Sequence, residues 1–350
     1  MLCLTCDGDD PRWDAFVQNG LQGTFFHLLA WRDLIARNFG YRPIYLYAEE
    51  EGKILGVLPL FLVRSLLFGK SLMSIPLGVY GGVVSEKEEA VMLLLQKAQE
   101  LAHQYQVNHL EIRGNPYDSD NSLYRDDLTP FRRNDSHVTF IREMEADPER
   151  NLARIPRKQR RMIRQAQKNG LRSLMDGDRL RDCYVVYAES LRNLGTPIFG
   201  FGYFQDLKKT FGDQCRVLMV EFQGKVVAGV LSFFYKDQVL PYYGGSLSSY
   251  RHLAPNDFMY WALLSFGAAN GYKTFDFGRS KKDTGSFDFK RHWGLEPRPL
   301  PSFYYPVRTN ETSDTTSLNS QLQWAIKLWR RLPLKLTLAI GPRIAPHLPW

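Results

Sequence analysis

The stretches MVEFQGKVVAGVL at residues 219–231 and YAEEEGKILGVL at residues 47–58 are two versions of one pattern. In each, alternating apolar residues stand on both sides of a Gly-Lys pair, which is typical of two strands joined by a tight turn. The two stretches lie in different halves of the 350-residue chain. They therefore predict a duplicated structural unit built around a β-hairpin.

The segments that flank the two hairpins also correspond. Upstream, the matching residues are Trp31, Asp33, Leu34, Phe39 and Gly40 in the first half and Phe204, Asp206, Leu207, Phe211 and Gly212 in the second. Downstream, we expect strands ending VYGG (79–82) and YYGG (242–245), crossing helices over 86–104 and about 256–270, and strands over 109–114 and 274–279. The prediction is a mixed α/β (α+β) fold that occurs twice.

The composition, with 44% hydrophobic and 23% charged residues, is that of a soluble globular protein long enough for two domains. We expect a first domain at 1–150, a second at 151–308, and a polar linker with a helical, basic tail at 309–350. The first residues lack a secretory pattern, which favours a cytoplasmic protein. Cys3, Cys6, Cys183 and Cys215 form neither a disulfide framework nor a complete ligand set, so no metal site is predicted.

The net charge of +8 is concentrated in two segments. Residues 151–175 contain no acid and the following basic residues: Arg154, Arg157, Lys158, Arg160, Arg161, Arg164, Lys168 and Arg172. Residues 315–350 also contain no acid and carry Lys327, Arg330, Arg331, Lys335 and Arg343. Two focused basic segments favour binding to phosphates or lipid head groups over general coating of nucleic acid.

The first basic segment predicts a helix over 156–169, with Pro156 at its first position and Gly170 at its end. Its apolar face comprises Ile155, Gln159, Met162, Ile163 and Ala166. The candidate substrate-binding residues of this helix are Arg157, Lys158, Arg161 and Arg164. Its charged stripe comprises Arg157, Arg161, Arg164 and Lys168, spaced three or four residues apart. Like charges at this spacing repel one another, which favours an anionic partner. Pairing with acids elsewhere in the fold is the alternative.

Three motifs carry a resemblance to a known family: RIPRKQRRMIRQAQKNGL (154–171), YYGG (242–245) and DFGRSKKDTGSFDFKRHWG (276–294). Over roughly residues 10–305, the chain resembles tandem GNAT-type N-acyltransferases of the Fem family of peptidyltransferases. Within that family it looks most like the FemAB-like proteins associated with exosortase (PEP-CTERM) and exopolysaccharide loci. The resemblance implies two GNAT-like domains and amide-forming chemistry.

The resemblance also implies a reaction site in the last motif. Phe289 and Lys290, followed by Trp293 and Gly294, match the position of the reacting carbonyl, and Lys290 is the candidate cation that stabilises the oxyanion. Asp276 or Asp288 is the candidate proton acceptor. Arg279, Lys281 and Lys282 are candidates for holding an anion, and Tyr243 for orienting substrate. The alternatives are a surface role for Lys290, a structural role for Asp276 and a packing role for Tyr243.

Donor binding is expected at the turn RHLAPND (251–257), which stands where GNAT enzymes hold pyrophosphate. Arg251, Ala254, Asn256 and Asp257 keep its register, but both glycines of the usual turn are replaced and Pro255 lacks an N–H. In the first unit the corresponding stretch is acidic, at Glu86, Glu88 and Glu89. Both acyl-CoA and aminoacyl-tRNA therefore remain candidate co-substrates, and no tightly bound cofactor is expected.

The tail, residues 324–350, combines tryptophans with basic residues, and Pro333 and Gly341 are expected to interrupt it. No apolar run in it reaches the length needed to span a membrane, and it fits either an interfacial helix on an anionic leaflet or a helix docked on its own domain.

These features together predict a cytoplasmic, peripherally membrane-bound or free acyl- or aminoacyltransferase. The acceptor is expected to be an amine on a nucleotide-linked or lipid-linked amino sugar or peptide precursor of the cell envelope or of an exopolysaccharide. The alternative is a non-catalytic module that binds anionic glycolipid or membrane and recruits a polysaccharide synthase.

Overall fold

The computed structural model describes residues 1–65, 68–117, 131–175, 178–308 and 319–348, which form two compact units. Unit 1 comprises the described parts of Met1–Val138, Arg298–Asp314 and His347–Trp350. Unit 2 comprises the described parts of Thr139–Pro297 and Thr315–Pro346. This division differs from the expected one at 150/151 and 308/309, because the chain returns to unit 1 after unit 2.

The first part of the chain supplies most of unit 1. Its elements are β1 (Leu2–Thr5), α1 (Pro11–Asn19), α2 (Leu29–Phe39), β2 (Arg42–Glu50), β3 (Lys53–Ser65), β4 (Gly69–Met73), β5 (Val84–Ser85), α3 (Glu88–Gln104), β6 (His109–Arg113), β7 (Arg132–Asn134) and β8 (His137–Thr139).

Unit 2 follows and begins with a strand. Its elements are β9 (Ile141–Glu143), α4 (Pro148–Ala153), α5 (Arg157–Lys168), β10 (Arg172–Met175), α6 (Leu180–Leu194), α7 (Phe201–Phe211), β11 (Cys215–Phe222), β12 (Lys225–Tyr235), β13 (Gln238–Ser246), α8 (Pro255–Ala269), β14 (Thr274–Asp276), β15 (Ser280–Lys281) and α9 (Gly285–His292). Beyond them lie β16 (Arg298–Pro299) and β17 (Ser302–Pro306) of unit 1, then α10 (Asn319–Trp329) and α11 (Leu334–Ile344) of unit 2.

Each unit has a mixed sheet. In unit 1 the strand order is β1-β2-β3-β4-β6-β17-β7, with β5 paired to β3, and β4 runs parallel to β6. In unit 2 the order is β10-β11-β12-β13-β14-β9, and β13 runs parallel to β14. In both, the parallel pair is joined by a crossing helix, α3 or α8. The fold class and the duplication are confirmed.

The two hairpins agree in detail. Both turns have two residues in the left-handed region, Glu51 and Gly52 (φ 50° and 79°) and Gln223 and Gly224 (φ 51° and 78°), as a tight type I′ turn requires. A register shift follows Ala48 in β2, and one follows Val220, the corresponding residue of β11. The repeat therefore extends to the irregularity of the strands.

The predicted crossing helices are confirmed within two residues at each end, and α2 and α7 end at Gly40 and Gly212 as the alignment implies. Two predicted strands differ from the structure: the strand expected over 274–279 ends at Asp276, and the strand expected to end in VYGG is wrong. YYGG lies in the continuous strand β13, whereas VYGG (79–82) lies in the segment that separates β4 from β5. Both β4 and β5 pair with β3, so in unit 1 the counterpart of β13 is split.

The core of unit 1 lies between α3 and the sheet, where Leu58, Leu60, Leu94, Leu95 and Ile112 are buried. Unit 1 also encloses aromatic side chains, among them Trp13, Phe26 and Trp31. In unit 2, Phe204, Phe233, Phe234 and Phe275 are fully enclosed.

Candidate active site

The motif at 276–294 folds as a turn followed by the short helix α9, which the sequence analysis did not predict. Gly278 and Gly294 have φ of +70° and +75°, as expected of glycines that allow sharp turns. Gly285 does not; it is the first residue of α9. A side chain at Gly294 would lie 2.9 Å from Pro156, so the end of the motif contacts the start of α5.

Lys290 lies on α9 and is only 6% exposed. Its Nζ donates hydrogen bonds to the carbonyl oxygens of Gly278, at 2.7 Å, and Arg279, at 3.2 Å. Burial lowers the pKa of Lys290 to about 7, and the nearby charge of Asp276 opposes that shift. The alternative of a surface lysine is therefore wrong: this amine is enclosed and titrates near neutral pH.

The two candidate proton acceptors of the motif lie in different environments. Asp276 is 1% exposed, and its Oδ1 accepts from the backbone N–H of Gly278 at 2.8 Å and from the Thr139 hydroxyl at 3.3 Å. These bonds stabilise the turn at Gly278, whose carbonyl oxygen accepts a hydrogen bond from Lys290. Asp276 therefore has the structural role that was the alternative to proton acceptor. Asp288 is exposed in the first turn of α9.

An aromatic cluster lies between α8 and α9. The Tyr260 ring of α8 stacks on Phe277 at 5.4 Å between centroids and contacts Phe289 at 5.2 Å and Trp293 at 6.1 Å. The Lys290 ammonium lies 5.9 Å from the centre of the Phe140 ring. Phe289 and Trp293, which flank Lys290 in the motif, therefore belong to the aromatic cluster.

Asp257, in the first turn of α8, is a half-buried carboxyl beside Trp293 of the aromatic cluster. Burial raises its pKa to about 6. The Trp293 indole N–H lies near enough to favour the ionised form, although no hydrogen bond of ordinary geometry joins the two side chains, and the charges of His292 and Lys158 act the same way. The sequence places Asp257 in the donor turn and gives no sign of this environment.

The basic helix forms as α5 and packs on α8. Pro156 is its N-cap and not its first helical residue, a correction of one position. Gln159, Ile163 and Ala166 are buried, as predicted, whereas Arg157, Lys158, Arg161 and Arg164 are exposed. The structure therefore brings the start of this helix, and Lys158 in particular, beside Asp257 and the end of the α9 motif.

Arg142, on β9, is a buried cation that the sequence analysis missed. It is 6% exposed, and its Nη2 donates to the carbonyl oxygen of Trp293 at 2.6 Å. Its Nη1 is buried without a hydrogen-bond partner in the described part of the chain. Burial, with a smaller contribution from Arg154, lowers its pKa to about 10. An isolated arginine on a three-residue strand gives no pattern from which to find it.

The donor turn is a poor cradle for pyrophosphate. Ala254 occupies the left-handed region at φ 56°, and its N–H already donates to the Arg251 carbonyl oxygen. Pro255 has no N–H, and the Asp257 carboxyl accepts from its own backbone N–H. Of the backbone amides at the start of α8, that of Asn256 is therefore the one best able to donate to a phosphate, and the adjacent Asp257 carboxylate would repel that phosphate.

The other candidates are dispersed. Tyr243 is buried, its hydroxyl lies 3.0 Å from that of Tyr203, and its ring packs on Phe204 and Tyr187, which fits the packing alternative. Burial holds its pKa well above the ordinary value. Lys281 and Lys282 are exposed after the turn, and Arg279 is half-buried.

A cavity of about 520 Å³ lies in unit 1, at the start of α3. Its walls include Leu55, Ser85, Glu86, Lys87 and Tyr117. In the part of the chain that the structure describes, no three metal-binding side chains come together. Across these same residues, no helix combines the length and apolarity needed to cross a bilayer.

Comparison with known proteins gives the same fold. Residues 154–291 match the acetyltransferase (GNAT) domain family. The FemX crystal structure superposes with a TM-score of 0.70 at 16% identity, covering 88% of this chain and 98% of that one. The chain has a tandem GNAT-like fold. A tandem GNAT protein of the clavulanic acid pathway also matches, with a TM-score of 0.56 at 11% identity over 89% of this chain and 99% of that chain.

Two further relatives come from named organisms. The C-terminal domain of a putative lysylphosphatidylglycerol synthetase from Agrobacterium fabrum has a TM-score of 0.58 at 13% identity, over 89% and 95% of the two chains. The lipid II:glycine glycyltransferase of Staphylococcus haemolyticus is 30% identical over 89 residues, 23% of this chain and 21% of that protein. The sequence match thus spans about a fifth of that relative.

Proposed function

We propose that this protein is an acyltransferase of the Fem type that joins an aminoacyl or acyl group to an amine of a cell-envelope precursor, with its reaction site in unit 2. The supporting observation is Lys290: a buried lysine with a pKa near 7, beside the Phe140 ring and inside the segment that matches the acetyltransferase family. Perturbed, enclosed lysines of this kind are typical of functional sites.

The reaction that fits this site is attack by an amine nitrogen on an activated ester or thioester. A C–N bond forms, the carbonyl oxygen becomes an oxyanion, and the C–O or C–S bond then breaks. In its protonated form Lys290 has one N–H beyond those given to Gly278 and Arg279. We assign that N–H to the oxyanion, where it lowers the barrier by about 3 to 4 kcal/mol.

The attacking amine must lose a proton, and Asp257 is the acceptor we favour over Asp276 and Asp288. Asp276 is committed to the turn beneath Lys290, and Asp288 is exposed. A carboxyl with a pKa of about 6 is ionised at neutral pH and is a stronger base than an ordinary aspartate. The proton then passes to the leaving oxygen or sulfur.

We favour an aminoacyl ester, as in aminoacyl-tRNA, over acyl-CoA as the donor. The start of α8 offers few free amides for pyrophosphate, whereas α5 presents an exposed row of cations suited to a nucleic-acid backbone. The acceptor is inferred from the lipid II:glycine glycyltransferase relative and from the sequence resemblance to exopolysaccharide-associated proteins. An amino sugar or peptide carried on a nucleotide or lipid satisfies both.

The test is a transfer assay on the purified full chain. Radiolabelled aminoacyl-tRNA mixtures and acyl-CoA esters are each offered with nucleotide-linked and lipid-linked muropeptide or amino sugar, and amide product is separated by mass. Product from aminoacyl-tRNA alone supports the proposal in full, and product from acyl-CoA alone overturns the donor assignment. Binding of these compounds without product under any combination would instead support a non-catalytic recruiting module.

A further inference from the structure

The tail forms two helices with two different faces. The inner face packs on unit 2: a side chain at Gly195 would lie 2.5 Å from Ile326, and Pro342 lies against Gly200. The guanidinium of Arg330 donates to the Leu194 carbonyl oxygen at 3.1 Å. The helix-docked alternative is therefore correct for this face. Pro333 separates α10 from α11 as expected, whereas Gly341 lies inside α11 and does not interrupt it.

The outer face is apolar and exposed. Trp324 is 67% exposed and Leu328 46% exposed, and these residues are four apart on α10, so they lie on one side of the helix. Leu336 on α11 is 41% exposed. Docking of the inner face thus leaves a tryptophan and two leucines in contact with water.

Cations flank this apolar face. Lys327 is exposed on α10 three residues after Trp324, Arg331 is exposed in the turn that follows α10, and Lys335 is exposed next to Leu336 in the sequence. No acidic residue occurs between 315 and 350 to neutralise them. Tryptophan and leucine with a basic border, on helices too short to span a bilayer, match the chemistry of an anionic membrane interface.

We propose that the outer face of α10 and α11, the face of Trp324, Leu328 and Leu336, docks the protein on an anionic bilayer surface. The apolar side chains enter the head-group region and the three cations lie over the phosphates. The positive charge of this face indicates which partner it binds. A second copy of the same face is equally basic and would be repelled, whereas an anionic leaflet would be attracted to the face. This inference is independent of the reaction chemistry.

The test is co-sedimentation of the full chain with vesicles of phosphatidylcholine alone and of phosphatidylcholine with phosphatidylglycerol. We expect binding to the anionic vesicles, and weakening at high salt. The triple variant Lys327→Glu/Arg331→Glu/Lys335→Glu should lose roughly fivefold in affinity for each charge removed, and more for the reversal. Trp324→Ala/Leu328→Ala should lose at least about tenfold.

Matched controls distinguish this face from general stickiness. Lys53→Glu/Lys209→Glu reverses exposed charges elsewhere, and Leu21→Ala/Leu174→Ala removes exposed apolar side chains elsewhere, and both should bind as the unaltered chain does. Thermal melts check that each variant folds. Absence of binding by the unaltered chain, equal binding to neutral vesicles, an equal loss in the controls, or self-association through Trp324 without vesicles would each overturn the proposal.

Discussion

The two units share a hairpin and differ at the helix that follows it. The turns at Gly52 and Gly224 have the same geometry, and a register shift falls at the same place in each unit. At the start of the crossing helix, unit 1 carries Glu88 and Glu89 in the open, whereas unit 2 holds Asp257 beside Trp293.

The difference shows where a duplicated fold can diverge. The hairpin is fixed by local backbone geometry, so both copies retain it. The start of the helix is fixed by what packs on it, and only in unit 2 do a basic helix and the α9 motif converge there. The units therefore have a common scaffold and, in the proposed function, different tasks.

Replacing the buried lysine should cause the largest loss. For Lys290→Gln we expect kcat to fall about 10²- to 10³-fold, because the oxyanion loses its charged donor. Lys53→Gln, an exposed lysine of unit 1, is the matched control and should leave kcat unchanged. An equal rate in Lys290→Gln, with product measured by mass spectrometry, would remove Lys290 from the mechanism.

Replacing the half-buried Asp257 should cause the second-largest loss of rate. We expect Asp257→Asn to lower kcat about 10²-fold and to remove the rise in rate through pH 6 that its ionisation imposes. Glu88→Gln places the same change at the first turn of the unit 1 helix and should alter neither the rate nor its pH profile. If the rate of Asp257→Asn still rises with pH near pH 6, the rise is due to the ionisation of another group.

Reversing charge on the basic helix should have an intermediate effect. For Arg161→Glu/Arg164→Glu we expect KM for the anionic substrate to rise about tenfold with little change in kcat, because in the proposed function these exposed cations bind the substrate and do not take part in the reaction. Lys53→Glu/Lys209→Glu is the control. A fall in kcat at constant KM would instead indicate that α5 positions the reacting groups.

Lys290 should also make stability depend on pH. Its pKa is about 7 in the folded chain and about 10.5 when unfolded, so between these values the unfolded chain binds the extra proton. The free energy of unfolding therefore rises with pH across this window, by up to about 1.4 kcal/mol per pH unit. Denaturant titrations at pH 7 and 9 should show this rise in the unaltered chain, relative to Lys290→Met. Parallel titrations in the two proteins would mean that Lys290 is charged in the fold.

The smallest effect tests the feature that the units share. Gly52→Ala and Gly224→Ala each put a side chain into a left-handed turn with open space around it, so both should cost about 1 to 2 kcal/mol of stability. Denaturant midpoints of the two variants, measured side by side, should agree. A cost confined to one of them would show that the turns are equivalent in geometry alone.

Local features were predictable from the sequence, and enclosed ones were not. The hairpins, the crossing helices and the faces of α5 follow from spacing and turn residues. Contacts between segments far apart in the chain determine the burial of Lys290, the environment of Asp257 and the burial of Arg142. The split between β4 and β5 was missed because VYGG resembles YYGG in letters while its segment leaves the sheet.

The chain returns to unit 1 late in the sequence, and this order limits when unit 1 can fold during synthesis. Strand β6 pairs with β17, and about 190 residues separate Arg113 from Ser302. At ordinary rates of translation, β6 leaves the ribosome roughly 10 to 40 s before its partner strand exists. During that interval the edge of the nascent sheet at β6 is unpaired, so unit 1 cannot complete its fold before most of unit 2 has been made. Dividing the gene at its midpoint would leave both products with strands that lack their partners.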